Sequence, residues 1–406
     1  MTSINVELAP TRVRIVRSTR ALRGVSIVDD IETFERIGEA WEELRSACEG
    51  GPFVGHSWTR SWWEAFGGTG RLCIAVKWRD GQLVAAAPLY VARQAVSPRL
   101  PMRVATGMML SNHRTGFNEW LIEPADDTAA TELLDVLLRD TGASLFELEP
   151  IRRGRSIDLL CSALKGRGAP HSVRVTLQSV VVDLADGWDG HLSRLPRMRR
   201  KAIRVADRRI AEQHGSVVIA NPRNGAEIVE RALALGRATW KGHAGTAVGS
   251  TAEGNLFLRR LWQLLGPAGG LEISLLAVGG EDVASTICLR DGKIGYAFAS
   301  DFREDHAHLG PGRHLLCEWL RRCAANGVTK ADLLRSTPFC RTFSEDTYEL
   351  SRVVFSARRN IPWMCRSLEM LLAPIGRSYR IAHRRRTRRR AGHKPEVVFE
   401  QKDGKG

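Results

Sequence analysis

The chain has 406 residues, of which 43% are hydrophobic, so it is long enough for two or three globular domains with cores of their own. No apolar run reaches the roughly 18 residues of a membrane-spanning helix, no secretory signal opens the chain, and the eight cysteines form no CxxC pair, so we expect a cytoplasmic protein without a transmembrane segment, a disulfide framework or a metal site. The formal net charge of +15 points to anionic partners, although much of it is concentrated near the C terminus.

The first part of the chain predicts a flexible arm over 1–24, followed by a strand and an Asp-capped helix. PFVGHSWTRSWWEAFG then predicts a helix that buries Trp58, Trp62 and Phe66 on one face, because these residues are spaced four apart. Residues 72–93 predict a hairpin that turns at Asp80-Gly81, a dipeptide that supplies the positive φ angles of a tight turn. Three further elements follow, namely a strand, a helix and a strand: FNEWLIE, TAATELLDVLLRDTG and ASLFELEPI.

The second part of the chain repeats this order of elements. RLPRMRRKAIRVADRR (194–209) predicts an amphipathic helix with a basic outer side. The packed side of this helix is predicted to comprise four apolar residues: Met198, Ala202, Val205 and Ala206. The basic side is either a solvated helix face or the wall of a groove that receives an anionic substrate. The later elements are a hairpin over 271–292, a strand over 294–301, a helix over 311–327 and a strand over 329–334.

This repeated order predicts two similar domains, both mixed α/β, because a period of about 190 residues is too long for a solenoid. We therefore divide the chain into an N-terminal arm, an N-terminal half, a C-terminal half and a basic tail: 1–24, 25–185, 186–375 and 376–406.

The basic tail contains RSYRIAHRRRTRRR (377–390), which holds eight arginines and no acid. Such a block is typical of a solvated tail. Clustered arginines also bind phosphate groups, so contact with an anionic membrane surface or with nucleic acid is the alternative. Membrane contact would place the protein peripherally at the inner membrane.

Three stretches in their order carry a resemblance to a known family. PFVGHSWTRSWWEAFG, with the hairpin ending VAAAPLYVAR, resembles the opening of the GNAT-type acyltransferases grouped with CelD-like cellulose-biosynthesis proteins. WDGHLSRLPRMRRKAIRVADRRIAEQHG resembles the central Arg-rich helix of that family, and the run from Ile294 to Glu345 resembles its acyl-CoA half. The resemblance covers most of residues 25–360. The Fem-type peptidyltransferases, which use aminoacyl-tRNA, share the doubled architecture and are the nearest alternative.

The resemblance implies a tandem GNAT-like fold, α/β with mixed (α+β) sheets and two similar halves. It also implies acetyl-CoA or another acyl-CoA as co-substrate in the second half, and a small or sugar-linked amine acceptor in the cleft between the halves. The implied activity is GNAT-type N-acyl transfer in exopolysaccharide- or cellulose-related metabolism. A catalytically silent accessory module for polysaccharide synthesis is the alternative from another class.

The resemblance places the CoA diphosphate at the turn Gly310-Pro311-Gly312. A helix follows directly, and its N terminus offers unpaired N–H groups and a partial positive charge. The two glycines permit close backbone approach, Pro311 pre-sets φ, and Arg313 and His314 offer side-chain donors. Ala307 replaces the Gln or Arg that is usual three residues before the first glycine, so a helix entrance without a ligand is the alternative.

Transfer from a thioester to an amine requires a base for the amine, donors for the oxyanion and a proton for the leaving thiolate. The resemblance implies a carboxylate base near the end of the fourth strand. The candidates are Asp301, Glu304 and Asp305, with Asp301 preferred because it ends that strand. Cys340 stands where the family has a tyrosine, and Tyr348 is a candidate for the missing hydroxyl.

Substrate-binding candidates lie in three polar segments. Arg341 stands where the family has a lysine, and its guanidinium is suited to a carboxylate or phosphate of either substrate. Trp240 and His243 in TWKGHAG, and His113 in SNHRTGFNEW, are expected in the acceptor cleft, because loops at a domain boundary commonly bind acceptor groups.

Overall fold

The computed structural model describes residues 24–97, 100–112 and 115–372. The predicted arm, apart from Gly24, and the arginine block at 377–390 lie outside these residues. Among the described helices, none combines the length and hydrophobicity needed to cross a bilayer.

The N-terminal half opens with the predicted strand and capped helix. The Asp30 side chain accepts a hydrogen bond from the Thr33 amide at 2.7 Å, which confirms the predicted cap. The elements of this half are, in chain order, β1 (Gly24–Val28), α1 (Ile31–Arg36), α2 (Gly38–Ala47), α3 (His56–Phe66), β2 (Arg71–Leu72), β3 (Ile74–Arg79), β4 (Gln82–Ala87), β5 (Leu89–Ser97), β6 (Leu100–Met109), β7 (Leu121–Ile122), α4 (Ala129–Asp140), β8 (Leu145–Arg152), α5 (Arg155–Gly166) and β9 (His171–Asp183).

The predicted hairpin is β3–β4, with φ angles of 51° at Asp80 and 82° at Gly81. It ends at Ala87, and the following residues begin a second hairpin, β5–β6, that the sequence did not predict. FNEWLIE forms only the two-residue strand β7. Asn118, within the same stretch, contributes an isolated bridge to Ile151 instead of a continuous ladder.

The C-terminal half follows the predicted order closely. Its hairpin turns at Gly279-Gly280 with φ angles of 59° and 84°. Its elements are α6 (Gly187–Arg194), α7 (Arg197–Glu212), β10 (Ser216–Ile219), α8 (Gly225–Ala238), α9 (Trp240–His243), α10 (Ala252–Leu265), β11 (Leu271–Val278), β12 (Glu281–Asp291), β13 (Ile294–Phe302), α11 (Pro311–Ala325), β14 (Lys330–Asp332), β15 (Thr347–Phe355) and α12, described over 361–372.

The basic helix is α7, but part of its predicted packed side is wrong. The residues that it buries are Ile203, Ala206 and Ile210, whereas Met198 is 71% exposed. Helical spacing identifies residues that share a face but not the stretch of the helix that is covered. The residues of α7 that face α11 begin at Ile203 and include Ala206 and Asp207, so Met198 lies before the covered stretch.

Strands from the two halves interleave in one sheet. Eleven described strands form the order β10-β11-β12-β13-β14-β9-β15-β8-β6-β5-β2, beside a four-stranded sheet β1-β3-β4-β7. The last strand of the N-terminal half, β9, pairs with β14 of the C-terminal half. The last strand of the C-terminal half, β15, lies between β9 and β8. The sheet of each half is therefore joined to the other half: β9 pairs with β14, and β15 lies between β8 and β9.

An aromatic core joins the halves on one side of this sheet. Trp58 of α3 contacts Phe257 of α10 and Phe298 of β13, with ring centroids 5.0 and 5.2 Å apart. Trp58 and Trp62 are both buried, which confirms the core role predicted for this stripe. The two halves therefore share one hydrophobic cluster.

Phe355→Ala tests whether β15 is an integral strand of the N-terminal half. Phe355 is fully buried and stacks on Phe146 of β8, with centroids 4.8 Å apart. The cavity left by the ring is expected to lower the free energy of unfolding by about 3–5 kcal/mol, measured by urea denaturation. Val173→Ala, at a position on β9 that is 45% exposed, should cost less than about 0.5 kcal/mol. Equal losses for the two variants would contradict this role of β15.

Candidate functional site

Strands β13 and β14 run parallel and then diverge. They pair from Ile294–Lys330 to Tyr296–Asp332, where β14 ends and β13 continues to Phe302. Beyond Asp332 the chain continues its pairing with β9, since the Leu333 amide donates to Val180 O at 2.9 Å, but its pairing with β13 has ended. Among the described strands, the outer part of β13 therefore has no parallel neighbour.

The divergent part of β13 also carries a bulge. Its register with β12 shifts so that Ala297 and Ala299 face consecutive residues of β12 and Phe298 is extra. A bulge bends its strand and interrupts the ladder. We refer to the space between the divergent strands as the β13–β14 gap.

The turn that precedes α11 lies beside this gap. Gly310 has φ 73° and caps the helix, Pro311 is its first residue, and the amides of Arg313 and His314 both donate to Gly310 O at 3.1 Å. The Gly312 amide makes no hydrogen bond within the described ranges. It is therefore a backbone donor without a partner among the described residues.

The first side chains of α11 bind protein groups. Arg313 donates to Thr342 Oγ1 at 3.1 Å and lies 5.4 Å from the centroid of the Phe339 ring, and burial lowers its pKa. His314 Nδ1 lies 2.7 Å from Asp207 Oδ1. The structure thus brings Gly310, Pro311 and Gly312 together as one turn, but directs the side chains of Arg313 and His314 elsewhere.

Helix α7 packs across this helix start. A Cβ atom at Gly310 would lie 3.2 Å from Ala206 Cβ, and Arg209 donates to His308 O. Asp207 binds both His314 and Arg321. Burial raises the pKa of Asp207, but the hydrogen bonds from these two residues outweigh it, so the pKa lies below its usual value.

The outer side of α7 carries a cationic stripe. Its members are exposed and spaced i, i+4, i+7 and i+11 along the helix: Arg197, Lys201, Arg204 and Arg208. This stripe faces away from the turn before α11, because Ala206, which lies against Gly310, is on the opposite side of the helix.

Asp301 lies near the far end of β13 and is only 5% exposed. Lys241 Nζ lies 3.3 Å from Asp301 Oδ1 and donates to the carbonyl oxygen of Ser300. The geometry of the ion pair is not that of a hydrogen bond, and Oδ1 accepts no hydrogen bond among the described residues. The site therefore contains a buried carboxylate oxygen, balanced by a cation, that can still accept a proton or a hydrogen bond.

Other predicted residues assemble around Asp301. The exposed Glu304 accepts a hydrogen bond from the Trp240 amide and so caps α9. Lys241 Nζ lies 5.9 Å from the centroid of the Trp240 ring, and Trp240 is 38% exposed. His243 is exposed at the end of the same short helix. His113 lies outside the described residues.

Tyr348 belongs to a second group, where the β13–β14 gap begins. Its hydroxyl donates to Asp332 Oδ2 at 2.6 Å, and Ser179 and the Leu334 amide donate to Oδ1. Burial raises the pKa of Asp332, and burial together with Asp332 raises the pKa of Tyr348 far above its usual value. The hydroxyl proton of Tyr348 is thus engaged in the hydrogen bond to Asp332.

The carboxylates of Asp301 and Asp332 lie on one face of the sheet. Tyr296 and Asp332 are register partners, and Asp301 shares their face beyond the bulge. Five residues of strand separate Tyr296 from Asp301, about 17 Å. That face packs against α8 and α10, whereas α11 packs against the opposite face. The Gly310–Gly312 turn and the carboxylates therefore approach the gap from different sides.

Arg341 is placed outside both carboxylate groups. Its Nε donates to Ser336 Oγ at 2.8 Å, and Nη2 donates to Gln178 Oε1 at 3.1 Å. These bonds connect the segment after β14 to β9, so much of the guanidinium is occupied by protein.

The N-terminal half contains a cavity of about 270 Å³ beside β7 and β8. Arginines line it, but they are paired: Arg152 lies 2.7 Å from Glu119, and Arg155 lies 2.7 Å from Asp127. Its charge is neutralised within the protein, in contrast to the open cationic surface of α7.

Sequence reasoning missed the roles of Asp207 and Asp332. Asp207 is the lone acid among the arginines of α7 before its last residue, and Asp332 stands between Ala331 and two leucines. An acid in such a setting indicates a carboxylate that binds a specific partner in the fold. Ser179 lies within a long polar-apolar strand and gave no comparable signal.

Comparison with known proteins decides the fold. A family model described as an acetyltransferase (GNAT) domain matches residues 197–343. No curated protein matches the sequence significantly. FemX has a TM-score of 0.55 and 12% identity, with 77% of this chain and 95% of FemX covered. L-PGS from Bacillus licheniformis has a TM-score of 0.51 and 12% identity, with 81% and 96% covered. The fold is that of the GNAT acyltransferases. The predicted fold class is confirmed.

Asp332→Asn and Asp207→Asn are expected to change the pH dependence of stability in opposite directions. Because the pKa of Asp332 is raised by folding, wild type loses stability as the pH rises above about 4, and the Asp332→Asn variant gains stability relative to wild type in this window. The pKa of Asp207 is lowered, so its contribution is present above about pH 4 and is lost in acid.

Asp207→Asn should therefore become less stable than wild type as the pH rises, by about 1–3 kcal/mol near neutrality. Urea denaturation of the three proteins between acidic and neutral pH measures both trends. Relative stabilities that change with the same sign would contradict the two assignments.

Proposed function

We propose that the protein is an acyl-CoA-dependent N-acyltransferase whose donor site lies in the C-terminal half. The observation that carries the proposal is the β13–β14 gap, with the Gly310–Gly312 turn on one face and the buried Asp301 on the other. A donor and an acceptor can then meet end to end at one opening. The CelD-like grouping, and with it a polysaccharide-related acceptor, is part of the proposal.

The residues at the start of α11 fit a diphosphate. The Gly312 amide is available, the helix N terminus carries partial positive charge, and α7 adds arginine side chains close by. A Cβ atom at Gly312 would lie 3.5 Å from Phe302 Cδ1, an ordinary van der Waals contact. Backbone and helix would thus hold the CoA diphosphate, with Arg209, which donates to His308 O, as a cation beside the turn.

The divergent part of β13 suits the acyl and pantetheine groups. Within the described residues its backbone faces no parallel strand beyond Tyr296, and backbone groups without partners require hydrogen bonds. A thioester that lies along this edge would receive a donor for its oxyanion close to the Phe298 bulge.

Asp301 is the base in this proposal. Its Oδ1 takes a proton from the acceptor ammonium, and the free amine attacks the thioester carbonyl carbon. The carbon–nitrogen bond forms, the carbon–sulfur bond breaks, and the thiolate leaves with the electron pair and is protonated by the second proton of the amine. Lys241 balances the charge of Asp301, and the exposed Trp240 ring offers a stacking surface for a sugar-linked amine. Tyr348 is a positioning residue, because its hydroxyl binds Asp332.

Gly312→Glu tests the donor site. Its carboxylate should repel the diphosphate and weaken acetyl-CoA binding by at least about 100-fold, equivalent to about 2.8 kcal/mol, in a calorimetric titration. Gly312→Ala is the matched control and should keep most of the affinity, because its methyl group meets only ordinary contacts. Equal affinity of the Glu variant and wild type would place the donor elsewhere. Longer acyl-CoAs in the same titration identify the preferred chain.

Asp301→Asn tests the base. We expect kcat to fall by about 10²–10⁴-fold while the affinity for acetyl-CoA is kept, because the carboxylate acts only on the acceptor. Glu304→Gln is the matched control and should lower kcat by less than about tenfold, since its side chain caps α9. A thiol-release assay over a panel of amines measures both variants. A larger loss for Glu304→Gln would reverse the assignment.

Aminoacyl transfer from tRNA is the second candidate, favoured by the cationic stripe Arg197–Arg208 on α7. Substitution of this stripe would then weaken tRNA binding, and the affinity for tRNA would fall steeply with salt. Tight tRNA binding without acetyl-CoA binding would favour this candidate. A lack of binding to either donor would favour a non-catalytic module.

A further inference from the structure

The last described helix, α12, packs against the sheet with one side only. Ser367 Oγ lies 2.9 Å from Ser172 Oγ of β9, and Met370 is buried against Leu145 and Val354. Trp363 packs on the same cluster. These three positions of α12 are spaced i, i+4 and i+7, so they define a single packed face.

The outer side of α12 is apolar as well. Its members are 50–73% exposed and recur at helical spacing: Ile361, Met364, Leu368, Leu371 and Leu372. Together they form a stripe about 100° wide, which we call the α12 outer face. The charged residues of the helix lie beside it, where Arg366 and Glu369 pair at 3.0 Å. Five large apolar residues in one contiguous stripe require a partner, because water is a poor environment for such a surface.

Positive charge lies before and after this face. Arg358 and Arg359 are exposed directly before α12. The sequence after it contains eight arginines and no acid over 377–390. An apolar helix face with cationic flanks complements a bilayer that exposes acyl chains beneath anionic headgroups.

We propose that the α12 outer face docks the protein on an anionic phospholipid bilayer, with the helix in the plane of the interface. The apolar residues enter the acyl boundary, and the flanking arginines bind headgroup phosphates. A second copy of the chain fits less well, because any symmetric pairing through this face brings cationic flanks together. Nucleic acid would match the arginines but would leave the apolar stripe in water.

The docking face is remote from the buried Asp332 group, and the cluster on which α12 packs includes no residue of β13, the strand that carries Asp301. Helix α12 contacts β9 at Ser172, whereas Ser179 of the same strand binds Asp332. Seven residues of strand separate them, about 23 Å. A change on the outer face should therefore leave acyl transfer intact, and membrane docking can be tested independently of the proposed function.

The test is co-sedimentation of the full chain with vesicles. We expect binding to phosphatidylcholine vesicles that contain phosphatidylglycerol, and at least tenfold weaker binding to pure phosphatidylcholine vesicles. The double variant Leu368→Asn/Leu371→Asn should lower the partition onto the anionic vesicles at least tenfold with unchanged thermal unfolding. Leu256→Asn is the control, because Leu256 on α10 is 47% exposed but isolated from this stripe. It should bind vesicles as wild type does.

Three results would overturn the proposal. The first is a lack of binding to anionic vesicles. The second is equal binding by the double variant, since the arginines alone would then suffice. The third is a dimer in light scattering that the double variant converts to a monomer, since a second copy would then cover the face.

Discussion

The pairing of β15 between β8 and β9 is the constraint on which the molecule depends. This strand comes from the C-terminal half and completes the sheet of the N-terminal half. Its residue Tyr348 pairs with Ser179 of β9 and, like Ser179, donates to Asp332 of β14, so one buried carboxylate is bound by side chains from two other strands. Because Asp332 also ends β14, the same interaction fixes the place where β13 loses its parallel neighbour. The β13–β14 gap is therefore a consequence of how the two halves are joined.

That opening separates two kinds of charge. The cations of α7 and the start of α11 lie on one face of the sheet, and Asp301 with Lys241 lies on the other. A polyanionic donor and a protonated amine would bind from opposite sides, each near groups of opposite sign. If both had to enter by one face, the donor phosphates would lie beside the carboxylate that must receive a proton. The sheet, as a low-dielectric layer between them, keeps the two sets of interactions independent.

The sequence was sufficient wherever the structure depends on near neighbours. The Asp30 cap, the Asp80-Gly81 turn and the start of α11 at Pro311 each follow from the chemistry of a few adjacent residues. It was insufficient where distant contacts decide. The exposure of Met198 depends on where α11 crosses α7, and the direction of the His314 side chain depends on Asp207, more than 100 residues away. The position of β15 in the sheet likewise has no local signal. The alternation of apolar and polar residues along a strand predicts which face is buried, but it does not predict which strand pairs with it.

The net charge of +15 includes cations in two different settings, those on α7 and those around α12. On α7, Arg209 donates to His308 O beside the N terminus of α11, an arrangement that would hold a compact anion in a defined orientation. Around α12 the cations flank a stripe of five exposed apolar side chains, an arrangement that favours an extended surface. Arginine would thus serve recognition of an anion on α7 and adhesion to a surface around α12. The neighbouring groups determine which of the two roles it has. An acyltransferase built in this way would act on acceptors that are themselves formed or held at a membrane.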